Sequence, residues 1–246
     1  MPFTISHIAI VLPFACRRRK YLSVTGLMTG TMTPDFLYFI LLDPYFSAGH
    51  TWWGIFLYDV PLALLLTFLY HDVVKAALIQ YLPGWAGMRI HHFRYFSWDQ
   101  YFRQHYLVVI SSVILGALSH LLLDAFTHGH GYFAGSIPFL RRNIRIFHHP
   151  MEMWYLMQYL SSIAGLLLLI YFFFRIPKSM RPAGKPPRIA PPLFWLLAVL
   201  IAAAILWVHS LEPHPLRKNM DYLATVMGAF FYGFCSVVLW LRISKQ

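Results

Sequence analysis

The stretch that decides the fold is Tyr106–Phe126, with the sequence YLVVISSVILGALSHLLLDAF. It contains no Lys or Arg, and it is about as long as the roughly 20 apolar residues that an α-helix needs to cross a bilayer. Two ionisable residues, His120 and Asp124, lie late in it at a spacing that puts both side chains on one helix face. Because ionisable groups inside lipid are costly, the stretch predicts a membrane helix that carries part of a polar site.

The composition of the whole chain agrees with this prediction. Of the 246 residues, 59% are hydrophobic and 12% are charged, whereas soluble domains contain about 45–50% apolar and about 25% charged residues. Such an apolar chain is not disordered. Its two cysteines, Cys16 and Cys235, are too few for a disulfide scaffold. The composition therefore predicts an all-α polytopic membrane helix bundle.

Six stretches are apolar enough to be transmembrane helices, namely about 21–42, 52–70, 106–126, 154–174, 192–211 and 222–241. Pro34-Asp35 interrupts the first stretch, and Asp59 and Pro61 interrupt the second. Residues 3–16 are apolar but too short to span, and they predict an interfacial or re-entrant helix. We therefore expect about six transmembrane helices and a short N-terminal helix.

The net charge of +11 has two possible explanations. A basic protein can bind nucleic acid, or its basic residues can lie in the cytoplasmic loops of a membrane protein. With six spans and a cytoplasmic N-terminus, 15 of the 20 Lys and Arg residues fall on the cytoplasmic side and five on the outer side. This distribution favours the second explanation, so we expect membrane lipids as partners and no nucleic acid.

The segment 175–191 contains five basic residues and five prolines. This composition is typical of an extended linker. We therefore predict a membrane domain over 1–174, a cytoplasmic linker over 175–191 and a two-helix membrane segment over 192–246.

The ionisable residues inside the predicted spans share one depth. At 1.5 Å per residue, Asp35 and His120 lie about 21 Å, and Asp59 about 18 Å, from the cytoplasmic boundary. His7 would rise about 15 Å if the N-terminal helix dips into the bilayer, and would stay on the cytoplasmic side if that helix is interfacial. His50 follows the first span in an outer loop. We expect these groups to form a polar layer in the outer half of the bilayer.

Imidazoles and carboxylates are the usual ligands of zinc and other first-row metals. His128 continues the stripe of His120 and Asp124, but we expect it to matter less because the helix would be leaving the bilayer. Each polar residue also has a simpler explanation, such as a helix-surface pair or a helix end. Those explanations do not account for the shared depth.

Several motifs carry a resemblance to a known family: Thr4-x-Ser6-His7, Gly30-x-Met32-x-Pro34-Asp35, Gly49-His50-Thr51, Tyr58-Asp59-Val60-Pro61 and Ser119-His120-x-x-x-Asp124. Across about the first 175 residues, the chain resembles a family of uncharacterised bacterial membrane proteins. That family is similar to inner-membrane proteins described as predicted metal-dependent hydrolases. The resemblance implies a multi-pass protein of the bacterial inner membrane, and the charge distribution predicts a cytoplasmic N-terminus.

The order of these residues is also similar to that in the zinc-dependent phospholipases C, which are all-helical and hold three zinc ions. This second resemblance implies one to three divalent ions, with zinc as the expected metal. The ligands it implies are His7, Asp35, His50, His120, Asp124, His130, His148 and Glu152.

The leading hypothesis is a membrane-bound hydrolase that uses a metal-activated water on a phosphoester of a lipid or lipid-linked substrate. Asp59 would orient a ligating histidine or act as the catalytic base. The sequence has no Ser-His-Asp order, glycine-rich phosphate loop or CxxC motif. One alternative is a non-enzymatic membrane protein whose buried Asp and His residues form a proton or metal-ion pathway. Another is a purely structural polar network.

Overall fold

The structure is a computed structural model, described here for residues 4–15, 20–43, 47–146, 148–179, 187–211 and 219–244. Three stretches used in the predictions lie outside these residues. They are the start of the chain through residue 3, the segment of Cys16 and Arg17–Arg19, and the middle of the predicted linker, 180–186. The side chains of Ala15, Asn219 and Met220 are also outside the description.

The described part of the chain is almost entirely helical. After a 3-10 turn at Thr4–His7, the first half contains α1 (Ile8–Ala15), α2 (Val24–Gly30), α3 (Thr33–Leu41), α4 (Trp52–Gly54), α5 (Val60–Phe68), α6 (Lys75–Tyr81) and α7 (Gly84–Ile90). The second half contains α8 (Trp98–Thr127), α9 (Tyr132–Ser136), α10 (Met153–Arg175), α11 (Pro191–Ser210) and α12 (Asn219–Ile243). Two short strands, β1 (Asn143–Ile146) and β2 (His149–Glu152), pair as an antiparallel hairpin. The prediction of an all-α fold is confirmed.

Five helical segments in the described residues are long and apolar enough to cross a membrane: Trp52–Tyr81, Trp98–Ser136, Met153–Arg175, Pro191–Ser210 and Asp221–Ile243. They include five of the six predicted spans. Thr4–Phe14 forms the shorter apolar helix expected at the N-terminus. The segment 21–42 differs from the prediction, because it forms two helices of seven and nine residues.

The break in that segment lies one turn earlier than the sequence indicated. The hydroxyl of Ser23 accepts a hydrogen bond from Gly26 N and starts α2, and the chain turns at Thr31 after that helix ends. Pro34 then lies in the first turn of α3, where a missing N–H costs nothing. Pro34 therefore begins a helix, and Asp35 follows it in the same first turn, where the helix dipole favours a carboxylate.

The segment Trp52–Tyr81 contains two π-helical stretches, and the first one carries Asp59. It runs over Ile55–Asp59 and ends with an i→i−5 hydrogen bond from Val60 N to Ile55 O. Pro61 follows at once and has no N–H to continue the α-helical ladder. The wider π turn accommodates this missing donor, and such turns recur at functional sites.

The chain divides into two compact units. The first consists of 1–35, 48–64 and 105–172, and the second of 36–47, 65–104 and 173–246. The second unit has an apolar core formed by Ala77, Tyr81, Phe194, Ala198, Phe234, Cys235, Val237, Val238 and Leu241. All the sequence-predicted site residues lie in the first unit. The division of the sequence at residue 174 stays a prediction.

Glycines bring α2 against α8 within the first unit. A Cβ at Gly30 would lie 2.2 Å from Val113 O, and one at Gly116 would lie 2.5 Å from Leu27 O. Only residues without side chains allow backbones to approach this closely, as in the small-residue contacts of membrane helices. The contact brings Thr31, the residue after α2, next to the part of α8 that carries His120.

Candidate metal centre

Four side chains from three parts of the first unit converge on one point. Asp35, His50, His120 and Asp124 each offer one ligand atom, and these atoms lie within 4.8 Å of one another. Asp35 comes from the first turn of α3, His50 from the end of the 3-10 turn Ala48–His50, and the other two from one face of α8. These residues, which the sequence placed at a similar depth or in the adjacent outer loop, therefore lie together in the structure.

The four atoms alternate as nitrogen and oxygen around the point they enclose. His50 Nε2 lies 3.2 Å from Asp35 Oδ1 and 3.5 Å from Asp124 Oδ2. His120 Nε2 lies 3.5 Å and 3.3 Å from the same two oxygens. A tetrahedral ion with ligands at 2.0–2.1 Å holds neighbouring ligand atoms about 3.3–3.4 Å apart. The four N–O distances therefore match four of the six edges of such a coordination shell, and all six pairs of atoms lie within 4.8 Å.

Hydrogen bonds around the centre fix which atoms face it. The carbonyl oxygen of Thr31 lies 2.8 Å from His120 Nδ1, and a carbonyl can only accept, so Nδ1 carries the proton. The hydroxyl of Thr4 donates to Asp35 Oδ2 at 2.7 Å and leaves Oδ1 for the centre. Such outer partners set the tautomer and orientation of metal ligands.

Two of the four atoms that face the centre lack hydrogen-bond partners among the described residues. His120 Nε2 and Asp35 Oδ1 are buried without a hydrogen bond among the described residues. An imidazole lone pair and two carboxylates all donate electron density, so the arrangement favours a cation between them. That cation is either a proton on an imidazole or a metal ion, and the donor set suits a divalent metal.

His50 is the most exposed of the four ligands, with 21% of its side chain accessible. Burial acts to lower the pKa of His50, but its contacts with Asp124 and Asp35 outweigh burial and raise that pKa. Without a metal, a proton on His50 can therefore occupy the position of the cation. The partial exposure of this side chain opens the centre to solvent on the side of His50.

His7 lies against the centre from the N-terminal turn. Its ring is fully buried and stacks on that of His120, with centroids 3.8 Å apart and an angle of 11° between the planes. Burial and the neighbouring His120 lower the pKa of His7 well below its ordinary value, which keeps the imidazole neutral. The N-terminal helix therefore brings His7 to the polar layer, one of the two placements that the sequence left open.

Asp59 is fully buried close to the centre but is not one of the four converging residues. A Cβ at Gly49 would lie 2.8 Å from Asp59 Oδ1, so the carboxylate faces the backbone that carries His50. Neither oxygen of Asp59 has a hydrogen-bond partner among the described residues. A hydrogen bond from a ligating histidine to Asp59, one of the two roles expected for this residue, is therefore not seen in the described residues.

The three remaining predicted ligands do not join the four. His130 is exposed, and its ring lies 5.6 Å from that of His128. His148 and Glu152 do not share a helix, because His148 lies in the hairpin turn with φ 69° and Glu152 ends β2. Glu152 Oε2 accepts a hydrogen bond from Trp154 Nε1.

Three further residues lie at the site: His128, and also Thr4 and Gln158, to which the sequence assigned no role. The ring nitrogen His128 Nδ1 lies 3.4 Å from Asp124 Oδ1, and His128 Nε2 lies 3.2 Å from Gln158 Nε2. Helix α8 runs to Thr127, and His128 directly after it keeps the i,i+4 contact with Asp124. The expectation that His128 matters less than the four converging residues stays a prediction. The i,i+4 stripe was the signal in the sequence that could have included His128.

The fold and the centre define a helical membrane-type protein with a buried cluster of carboxylates and imidazoles that fits a metal ion. The chain belongs to the family described as Domain of unknown function (DUF4184), which matches residues 1–245. No curated protein matches the chain. No solved structure matches it either.

Proposed function

We propose that the protein is a membrane-bound, metal-dependent hydrolase of a phosphoester in a lipid or lipid-linked substrate. The observation that carries this proposal is the convergence of four buried ligand atoms from Asp35, His50, His120 and Asp124. A divalent ion such as zinc, when bound there, supplies Lewis-acid chemistry that polarises a phosphoryl oxygen and lowers the pKa of water.

The protein's own residues prepare the centre for that ion. Thr31 and Thr4 hold His120 and Asp35 with one donor atom each turned inward. Because both partners are buried, the ligands are held in place before any ion binds. Asp59 carries a buried carboxylate next to the loop of His50 and is our candidate for the base that accepts a proton from water.

A lipid substrate is supported by the surface next to His50. Trp52 and Trp53, just beyond it in the chain, are 73% and 77% exposed. Exposed tryptophans are typical of the level of the lipid headgroups. A phosphoester at that level would approach the centre from the accessible edge of His50. We propose the bacterial inner membrane as the location.

The test is metal analysis together with substrate turnover on protein purified in detergent. Wild-type protein should bind zinc and release a water-soluble phosphate ester or phosphate from phospholipids in mixed micelles. His120→Ala should lose metal from this centre and lose turnover. His149→Ala, which changes an exposed histidine of β2, is the matched control and should keep both.

The outcomes separate the hypotheses. Wild-type protein that binds no metal contradicts the proposal and favours a structural polar network. Protein that binds metal through His120 but hydrolyses neither phospholipids nor a soluble phosphodiester favours an ion pathway. Turnover of the soluble phosphodiester alone supports the hydrolase and contradicts the lipid substrate.

A further inference from the structure

The two oxygens of Asp124 face different pairs of histidines. Oδ2 belongs to the ring of atoms that it forms with Asp35, His50 and His120. Oδ1 lies 3.4 Å from His128 Nδ1 and 3.8 Å from His7 Nε2. A carboxylate that turns each oxygen to two imidazole nitrogens has the geometry of a bridge between two cations.

The stacking of His7 on His120 supports a second cation position. The two rings are nearly parallel, and their centroids are 3.8 Å apart. Each ring turns its Nε2 to a different oxygen of Asp124. Because the rings are stacked, the two points that their Nε2 atoms face are separated by about the distance between the ring planes. The ions of two-metal sites are about 3.5–4 Å apart.

His7 also has unmet bonding capacity. The side chain is fully buried, and neither ring nitrogen has a hydrogen-bond partner among the described residues. A buried polar group without a partner destabilises the folded protein. A cation between His7 Nε2 and Asp124 Oδ1 would use the nitrogen lone pair.

We propose that Asp124 bridges two divalent cations, and that the second cation is bound by His7 Nε2, His128 Nδ1 and Asp124 Oδ1. This inference rests on the proposed function, since the first cation is the one assigned there. The first position has four protein ligands and the second has three, so the second leaves more room for a further ligand such as water.

Gln158 contacts the ring nitrogen of His128 that does not face Asp124. Its amide nitrogen lies 3.2 Å from His128 Nε2, and this contact holds the ring with Nδ1 turned to Asp124. When His128 Nδ1 binds a cation, Nε2 carries the proton and needs an acceptor. Rotation of the amide by 180° presents the oxygen of Gln158 to that proton.

The experiment counts metal ions per chain after the purified protein is saturated with zinc and freed of excess metal. Wild-type protein should hold two ions per chain, and His128→Ala should hold one. His130→Ala, which changes an exposed histidine two residues further along, is the matched control and should hold two. Wild-type protein with one ion, and the same count in His128→Ala, overturns the second position and leaves the first. Wild-type protein with no ion overturns both proposals.

A measurement on the wild-type protein does not depend on the folding of a variant. Loaded with Co²⁺, the protein should give an electron paramagnetic resonance signal of two magnetically coupled ions, because a carboxylate bridge couples them. A spectrum of isolated ions at full loading overturns the bridge.

Discussion

Thr4 and Asp59 are both buried near the centre but differ in their contacts. Thr4 donates a buried hydrogen bond to Asp35 Oδ2, so it positions a ligand. Asp59 makes no hydrogen bond among the described residues and is not one of the four converging ligands. A buried carboxylate that neither binds metal nor pairs with a neighbour is costly, and such a cost is typical of a residue that acts in the reaction.

The substitution Asp59→Asn tests that role. It keeps the shape of the side chain and removes its ability to accept a proton. We expect the metal content to match that of the wild type, and phosphoester turnover to fall about 10²–10⁴-fold, the usual contribution of a general base. Metal analysis and initial rates give the two values.

Asp99→Asn is the control for this substitution, because Asp99 is largely exposed and pairs with Arg103. It should leave both values unchanged. Unchanged turnover in Asp59→Asn contradicts the role of base. Loss of metal would instead place Asp59 among the ligands.

At the scale of the elements, the centre depends on the contact between α2 and α8. Gly30 and Gly116 let the two backbones touch, and Thr31 follows directly with the carbonyl that binds His120. Helix α2 has only seven residues, so its position depends on packing more than on its own helical stability. The position of α2 therefore determines where the Thr31 carbonyl lies, and that carbonyl sets the tautomer of His120.

Gly30→Ala should disturb both packing and metal binding. The added Cβ would lie 2.2 Å from the Val113 carbonyl, so α2 has to move. Overpacking of this kind costs about 1–3 kcal/mol, and we expect a fall of several degrees in Tm together with weaker zinc binding. Tryptophan fluorescence during heating measures Tm, and titration with a zinc indicator measures binding.

Gly84→Ala is the matched control, because a Cβ there meets no atom within 4 Å. It should keep both Tm and zinc affinity. Wild-type zinc affinity in Gly30→Ala would show that the position of α2 does not control the orientation of His120.

For the whole molecule, the arrangement in the membrane follows from the loops on the two sides of each span. The loop before α10 has three basic residues, Arg141, Arg142 and Arg145, whereas 175–191 has five. The positive-inside bias predicts that 175–191 is cytoplasmic. This prediction does not depend on the N-terminal part, where 21–42 forms two helices too short to span a bilayer alone.

Cysteine labelling tests this arrangement after the native Cys16 and Cys235 are replaced by serine. Arg145→Cys and Lys178→Cys change exposed residues on either side of α10, Met153–Arg175. A membrane-impermeant thiol reagent should label the first in spheroplasts and the second only after lysis. The reverse pattern contradicts an outward-facing centre, and equal labelling of both contradicts a membrane-spanning α10.

The sequence by itself determined the fold class and pointed to most of the four residues that converge in the structure. Long runs of apolar residues can bury their backbone polar groups in lipid only as helices, so the all-α class follows from composition. The i,i+4 spacing of His120 and Asp124 is a local property of α8 and was readable directly. The depth estimate brought Asp35 to the same layer, although it assumed one continuous helix over 21–42.

Only the tertiary structure decided which distant groups meet and which do not. The break at Thr31 follows from the packing of α2 on α8, a contact between residues far apart in the chain. The same contact selects the His120 tautomer, and the stacking of His7 on His120 places His7 beside the four converging residues. The positions of His148 and Glu152 depend on a hairpin that helical spacing could not indicate. Local periodicity fixes the face on which a residue lies, but only long-range packing fixes which faces come together.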